Sequence, residues 1–248
     1  MAVSDEVTWN RQPVADPTVA DVVRYGPDTA TEADVRLLGT LADKRVLELG
    51  CGTGLGLVAF ARQGARTIGL DFSLPALTAA RRLAERAGVK VELHEADLAD
   101  LAFARADTID LVFSAYALNL VEDVNRVFRQ VHRVLKQGAP LVFSVPHPAW
   151  HMLGDPDPDA SADEPPLVRR SYFEQGRVDL HSDRPPYFSY HHTVSDLFTG
   201  LGRANFRVDA IVEPEPQRPR SEAGEPPPPD AAHLVPRTLI IRARKEGA

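Results

Sequence analysis

At 248 residues the chain is long enough for one elaborated domain to bury a core without covalent staples. Its single cysteine, Cys51, excludes an intramolecular disulfide and any cysteine-rich zinc site, and fits a reducing, cytoplasmic setting. A formal net charge of −7 argues against nucleic acid as partner, no apolar run is long enough to span a bilayer, and the first residues, MAVSDEVTWNRQ, lack the basic and apolar regions of a signal peptide, so a small molecule is the expected partner.

Composition divides the chain. Five of the 21 prolines precede Pro146 and ten of the 16 glycines do, so residues 45–145 read as a compact core, 1–44 as an N-terminal segment with a covering helix, and 146–248 as a proline-rich elaboration that returns to structure near the end. In chain order, Thr31 to Leu38 predicts a covering helix. Val46 to Leu49 predicts a first strand, followed after a glycine loop by a helix through Leu57 to Arg62 with Gly64 just past its end. Thr67 to Asp71 predicts a second strand, and Ser73 then caps a helix with Pro75 in its first turn and a stripe of Leu77, Ala80, Leu83 and Ala84 that stops before Gly88. Lys90 to His94, Ile109 to Ser114 and Leu141 to Val145 predict three more strands, with a helix from Val124 to Leu135 before the last of them. Further on, Thr193 or Ser195 caps a helix through Leu201, and Phe206 to Val212 and Arg237 to Ala243 read as a closing antiparallel pair, separated by a loop at Pro226 to Pro229. Alternation of strand and helix in the first part is the pattern of a doubly wound α/β fold, here with a seven-stranded, mostly parallel sheet.

The sharpest local feature is Glu48-Leu49-Gly50-Cys51-Gly52-Thr53-Gly54, set between the first strand and its helix. Glycines at such a turn let a ligand approach the backbone at the crevice of a doubly wound sheet. A dinucleotide loop requires G-x-G-x-x-G, but counting from Gly50 the third glycine position holds Leu55, and counting from Gly52 it holds Leu57. A nicotinamide cofactor is therefore disfavoured, and the lysine of a phosphate-binding loop is missing too.

Val46 to Gly54 closely resembles the first motif of the class I S-adenosylmethionine-dependent methyltransferases. Asp71 at the end of the second strand, Glu95-Ala96-Asp97-Leu98 after the third, Asp110 to Ser114 along the fourth and Phe128 to Leu141 leading into the fifth are similar to the later motifs in the same order. The resemblance implies a Rossmann-like fold and S-adenosyl-L-methionine as cofactor. It implies cofactor contacts by Glu48, Gly50, Cys51, Gly52 and Gly54 of the loop, by Asp71 on the ribose with Phe72 beside it, by Asp97 and Leu98 on the adenine, by Ser114 and Ala115 along the methionine part, and by Tyr25 in an N-terminal lid. The implied activity is methyl transfer to O, N or C of a small organic acceptor. The alternative is a protein of this fold that binds the cofactor but catalyses another reaction or regulates.

Methyl transfer asks mainly for in-line alignment, with removal of a proton when the acceptor is a hydroxyl. Asn119, after the fourth strand, is an expected neighbour of the transferred methyl. His147, held between Pro146 and Pro148 at the end of the fifth strand, is the expected general base, with His192 in the aromatic cluster Tyr187, Tyr190, His191 and His192 as the competing candidate. His151 lies four residues beyond His147, but without a third ligand nearby no metal is expected.

Overall fold

The computed structural model describes residues 20–26, 29–153, 167–180, 187–216 and 234–247. In chain order the strands are β1 (Arg45–Leu49), β2 (Arg66–Asp71), β3 (Val91–Glu95), β4 (Leu111–Ala115), β5 (Pro140–Pro146), β6 (Gly176–Leu180), β7 (Tyr187–His191), β8 (Phe206–Val212) and β9 (Thr238–Lys245). The helices are α1 (Glu32–Val35), α2 (Leu55–Arg62), α3 (Leu74–Ala87), α4 (Val124–Val134), α5 (Pro148–His151) and α6 (Val194–Arg203). Seven strands form one sheet in the order β3-β2-β1-β4-β5-β9-β8, parallel from β3 to β5, with β9 antiparallel to both of its neighbours. The chain winds outward from β1 in one direction and from β4 in the other, so a crevice opens at the carboxyl ends of these two adjacent strands.

Local chemistry sets the helix boundaries. The Ser73 hydroxyl accepts the Ala76 N–H at 3.2 Å at the start of α3, which ends at Gly88 in the left-handed region. Thr193 and Asp196 cap α6 reciprocally, and the Asp123 carboxylate accepts the Arg126 N–H at the start of α4. One face of the sheet packs against α4 and α6 through Val127, Phe128, Val131, Leu197 and Leu201. The other packs against α2 and the N-terminal segment through Phe60, Tyr25, Leu37, Leu38 and Leu41.

Two expectations change. The covering helix predicted over Thr31 to Leu38 is a single turn. Arg36 adopts φ 53°, and the Glu32 carboxylate accepts the N–H groups of Leu37 at 3.0 Å and Leu38 at 2.8 Å, so one side chain replaces the next turn's carbonyls while both leucines enter the core. The segment Tyr187–His191, not among the seven strands predicted, is β7, paired antiparallel with β6 in a separate two-stranded sheet. The loop expected at Pro226 to Pro229 and the side chain of Tyr187 lie outside the described residues.

Candidate active site

The loop from β1 to α2 is built without side chains where it must be thin. Gly50 has φ 69°, and a Cβ there would stand 2.2 Å from the Ala117 Cβ; Gly52 has φ 51°, with open space where its Cβ would be. The Leu70 carbonyl accepts both the Gly50 N–H at 2.8 Å and the Cys51 N–H at 3.0 Å, tying the loop to β2. Asp71 completes the tie. Its Oδ2 accepts the Gly52 N–H at 2.8 Å and its Oδ1 the Ser73 N–H at 2.9 Å. Burial raises its pKa, and these backbone N–H groups oppose that rise.

Glu48 lies under the loop, 6% exposed. Its Oε2 is buried with no hydrogen-bond partner, and Gly56 is glycine because a Cβ there would come within 2.2 Å of the Glu48 Oε1. Burial, with the Asp71 carboxylate second, pushes the Glu48 pKa up to about 8. A carboxyl raised in the folded state stabilises the protein below its ordinary value of 4.5 and loses that contribution as pH rises through about 8. Chemical denaturation should therefore show stability falling across that window by a few kcal/mol, since moving a pKa by one pH unit corresponds to about 1.4 kcal/mol, and Glu48→Gln should flatten the fall. An orphaned acidic acceptor beside an open glycine loop fits a cationic ligand. S-adenosylmethionine carries a sulfonium and an ammonium, and the vicinal ribose hydroxyls suit the remaining lone pairs of Asp71.

The other expected cofactor residues are distributed unevenly. Phe72 is half-buried at the end of β2, and Ala115 is half-buried at the end of β4. Cys51 packs with Leu57 and Leu77, and its thiol pKa is pushed far up by burial and by the nearby Glu48 and Asp71, so any contact it makes runs through the backbone. Gly54 caps α2. Asp97 is exposed and its Oδ1 accepts the Ala99 N–H at 2.8 Å in a turn, while the Leu98 side chain belongs to the core. Ser114 is fully buried and donates to the Leu49 carbonyl at 3.0 Å, bracing β4 against β1. Tyr25 is fully buried: its ring meets Phe113 edge-on and its hydroxyl donates to Glu32 at 2.6 Å.

The expected base also changes. His147 Nδ1 accepts the Ala149 N–H at 3.0 Å as the cap of α5, and its Nε2 lies 2.7 Å from Glu213 Oε1. An Nδ1 that accepts leaves the proton on Nε2, donated to the carboxylate, so both nitrogens are committed and neither can receive a substrate proton. His147→Asn, which can still cap, should keep the transfer rate within about threefold, whereas His147→Ala should cost about 1 kcal/mol of stability by denaturant titration. His192 is half-buried, with Nε2 donating to the Val121 carbonyl at 2.9 Å.

Asn119 sits in the 3-10 turn Leu118–Leu120 after β4, buried, its Nδ2 donating to Ser189 of β7 at 3.3 Å and its Oδ1 without a partner. Two residues along the same strand, His191 Nδ1 lies 3.3 Å from His151 Nδ1. This buried polar group, Asn119, Ser189, His151 and His191, was legible only in part. A serine and a histidine alternating on a short aromatic run were the available signal, but nothing local shows that β7 lies against the ends of β4 and β5. Among the described residues no group of three or more His, Cys, Asp or Glu side chains could hold a metal ion.

Residues 47–143 match the family described as "Methyltransferase domain". The chain is 27% identical over 220 residues to an uncharacterized protein of Haemophilus influenzae, covering 84% of each. It is 38% identical over 104 residues to the ubiquinone biosynthesis O-methyltransferase of Hahella chejuensis, covering 42% of this chain and 44% of that one. The crystal structure of an S-adenosylmethionine-dependent methyltransferase from Mesorhizobium loti superposes with a TM-score of 0.68 at 29% identity, covering 86% of this chain and 96% of the other. Sheet order, loop and motif order together define a class I methyltransferase. Residues 47–143 form a methyltransferase domain of the S-adenosylmethionine-dependent class, whose cofactor is S-adenosylmethionine.

Proposed function

We propose that the protein acts in the cytoplasm and transfers the methyl group of S-adenosylmethionine to a hydroxyl of a small, uncharged organic acceptor. The observation that carries this reading is the buried polar group at the carboxyl ends of β4 and β5, where Asn119 and His151 each keep an unpartnered polar atom beside the cofactor crevice. The likeness to an O-methyltransferase of ubiquinone biosynthesis supports an oxygen acceptor. The net charge of −7 disfavours a nucleic-acid substrate, the single cysteine suits a reducing compartment, and no helix among the described residues is long and apolar enough to cross a membrane.

When bound, the cofactor supplies an electrophilic methyl carbon on its sulfonium. The chain's own residues then have three tasks. Glu48 and Asp71 hold the cationic and ribose ends, the glycine loop brings the backbone close, and the polar group above β4 and β5 orients the acceptor in line. The test is transfer of a tritiated methyl group from the cofactor to a panel of phenols, aliphatic alcohols, amines, carboxylates and transfer RNA. Label in the hydroxyl compounds alone is expected; label in RNA or in amines alone overturns the reading. A protein that binds the cofactor yet labels no member of the panel belongs to the regulatory or non-methylating alternative.

A further inference from the structure

The protonation state of the buried histidine pair follows from its neighbours. His191 Nε2 lies 2.8 Å from the Tyr172 carbonyl, which can only accept, so that nitrogen carries a proton. Burial lowers the His191 pKa, the ring is neutral, and its Nδ1 is a bare lone pair. The His151 Nδ1 facing it at 3.3 Å must therefore be the donor. Burial also holds the His151 pKa down, to about 3, with His191, Arg170, His192 and His147 all acting in the same direction, so this ring too is neutral. Its proton is on Nδ1, and its Nε2 is an unprotonated acceptor in a residue 3% exposed, with no partner.

Asn119 repeats the arrangement. With Nδ2 given to Ser189, its Oδ1 is a second buried acceptor without a donor, in a residue 4% exposed. Ser189 and His191 are two apart on β7 and so on one face, about 7 Å between Cα atoms. The two anchored side chains come from the segments that leave β4 and β5, where a doubly wound sheet binds its ligands. A buried acceptor left unmet is costly, and two on side chains anchored at alternate positions of one strand call for a ligand that brings donors. A carboxylate would meet these two lone pairs, although the Arg170 guanidinium, whose Nε is itself buried without a partner, could offset them. An ammonium would meet the Arg170 guanidinium, which lies near enough to lower the His151 pKa.

We propose that His151 Nε2 and Asn119 Oδ1 form the hydrogen-bond-accepting wall of the acceptor subsite and select a substrate presenting two hydroxyl donors, a diphenol being the strongest donor of that class. This rests on the methyltransferase reading above. His151 acts by binding and positioning, its lone pair aimed by the relay through His191 to the Tyr172 carbonyl.

The test uses the full chain loaded with S-adenosylhomocysteine and titrated with catechol, its dimethyl ether, benzoate and benzylamine. Catechol should bind at least tenfold more tightly than the other three. His151→Phe and Asn119→Leu should each remove most of the preference over the dimethyl ether while leaving S-adenosylhomocysteine affinity within about twofold. Equal binding of catechol and its ether by the unmodified protein overturns the inference, as does a preference that survives both substitutions. Failure of the unmodified protein to bind S-adenosylhomocysteine overturns the methyltransferase reading instead, and the two failures are read separately in the same titration. Nitrogen NMR of histidine-labelled protein gives an answer that needs no variant. One neutral ring protonated on Nδ1 alone should persist from about pH 5 to 8, outside the usual imidazole titration, and its bare nitrogen should shift when catechol is added. A His151 ring protonated on Nε2 overturns the proposal.

Discussion

Asp71→Ala weakens S-adenosylmethionine binding by about 1–3 kcal/mol, or about fivefold to more than a hundredfold, when measured by calorimetry. Two losses combine. The ribose hydroxyls lose their acceptor, and the Gly52 and Ser73 N–H groups, now paired at 2.8 and 2.9 Å, lose theirs, so the loop is no longer tied to the end of β2. Asp71→Asn separates the two, because its amide oxygen can still accept one backbone N–H while its NH2 group cannot accept a ribose proton. An intermediate loss is expected for Asn. Unchanged affinity in the alanine variant would remove Asp71 from the cofactor site.

Gly50→Ala carries the largest expected effect on the fold and the site together. A Cβ there would meet the Ala117 Cβ at 2.2 Å, and the backbone sits at φ 69°, where a side chain adds roughly 1–2 kcal/mol of strain. Gly39→Ala is the control, since Gly39 has φ 67° with nothing near its would-be Cβ. It should show the conformational penalty alone. Gly50→Ala should lose about 3 kcal/mol or more in denaturant titration and bind the cofactor at least a hundredfold more weakly, because overpacking displaces the loop from the end of β4. Ala117→Gly in the Gly50→Ala background should restore part of both losses. If Gly50→Ala costs no more than Gly39→Ala, the contact with Ala117 plays no part.

Glu48 offers a further check on how the cofactor is held. A carboxyl whose pKa is near 8 is largely protonated at pH 7, and a cation placed beside it favours the ionised form. S-adenosylmethionine binding at pH 7 should therefore release a proton, read as a dependence of the calorimetric enthalpy on the buffer's ionisation enthalpy. Glu48→Gln should abolish that dependence.

Much of the cofactor half was determined by the sequence itself. Its strands are β-branched and leucine-rich runs and its helices carry their own caps, so the boundaries at Ser73, Gly88 and Asp123 follow from hydrogen bonds between residues a few positions apart. Glu48, Gly50, Gly52 and Asp71 were legible for the same reason, since a strand, a turn without side chains and a second strand ending in an acid form one short-range unit. The lid residue, the base and the acceptor subsite were not local. Tyr25 packs on Phe113, which comes to it from β4, and His147, already a local cap through Ala149, is closed as a base because Glu213 takes its second nitrogen from just beyond β8. His151 and Asn119 acquire their unmet lone pairs from His191 and Ser189, forty and seventy residues further along the chain. A histidine's sequence does not say which of its nitrogens carries the proton. That is decided by the group opposite each nitrogen, and only the tertiary fold brings those groups into place.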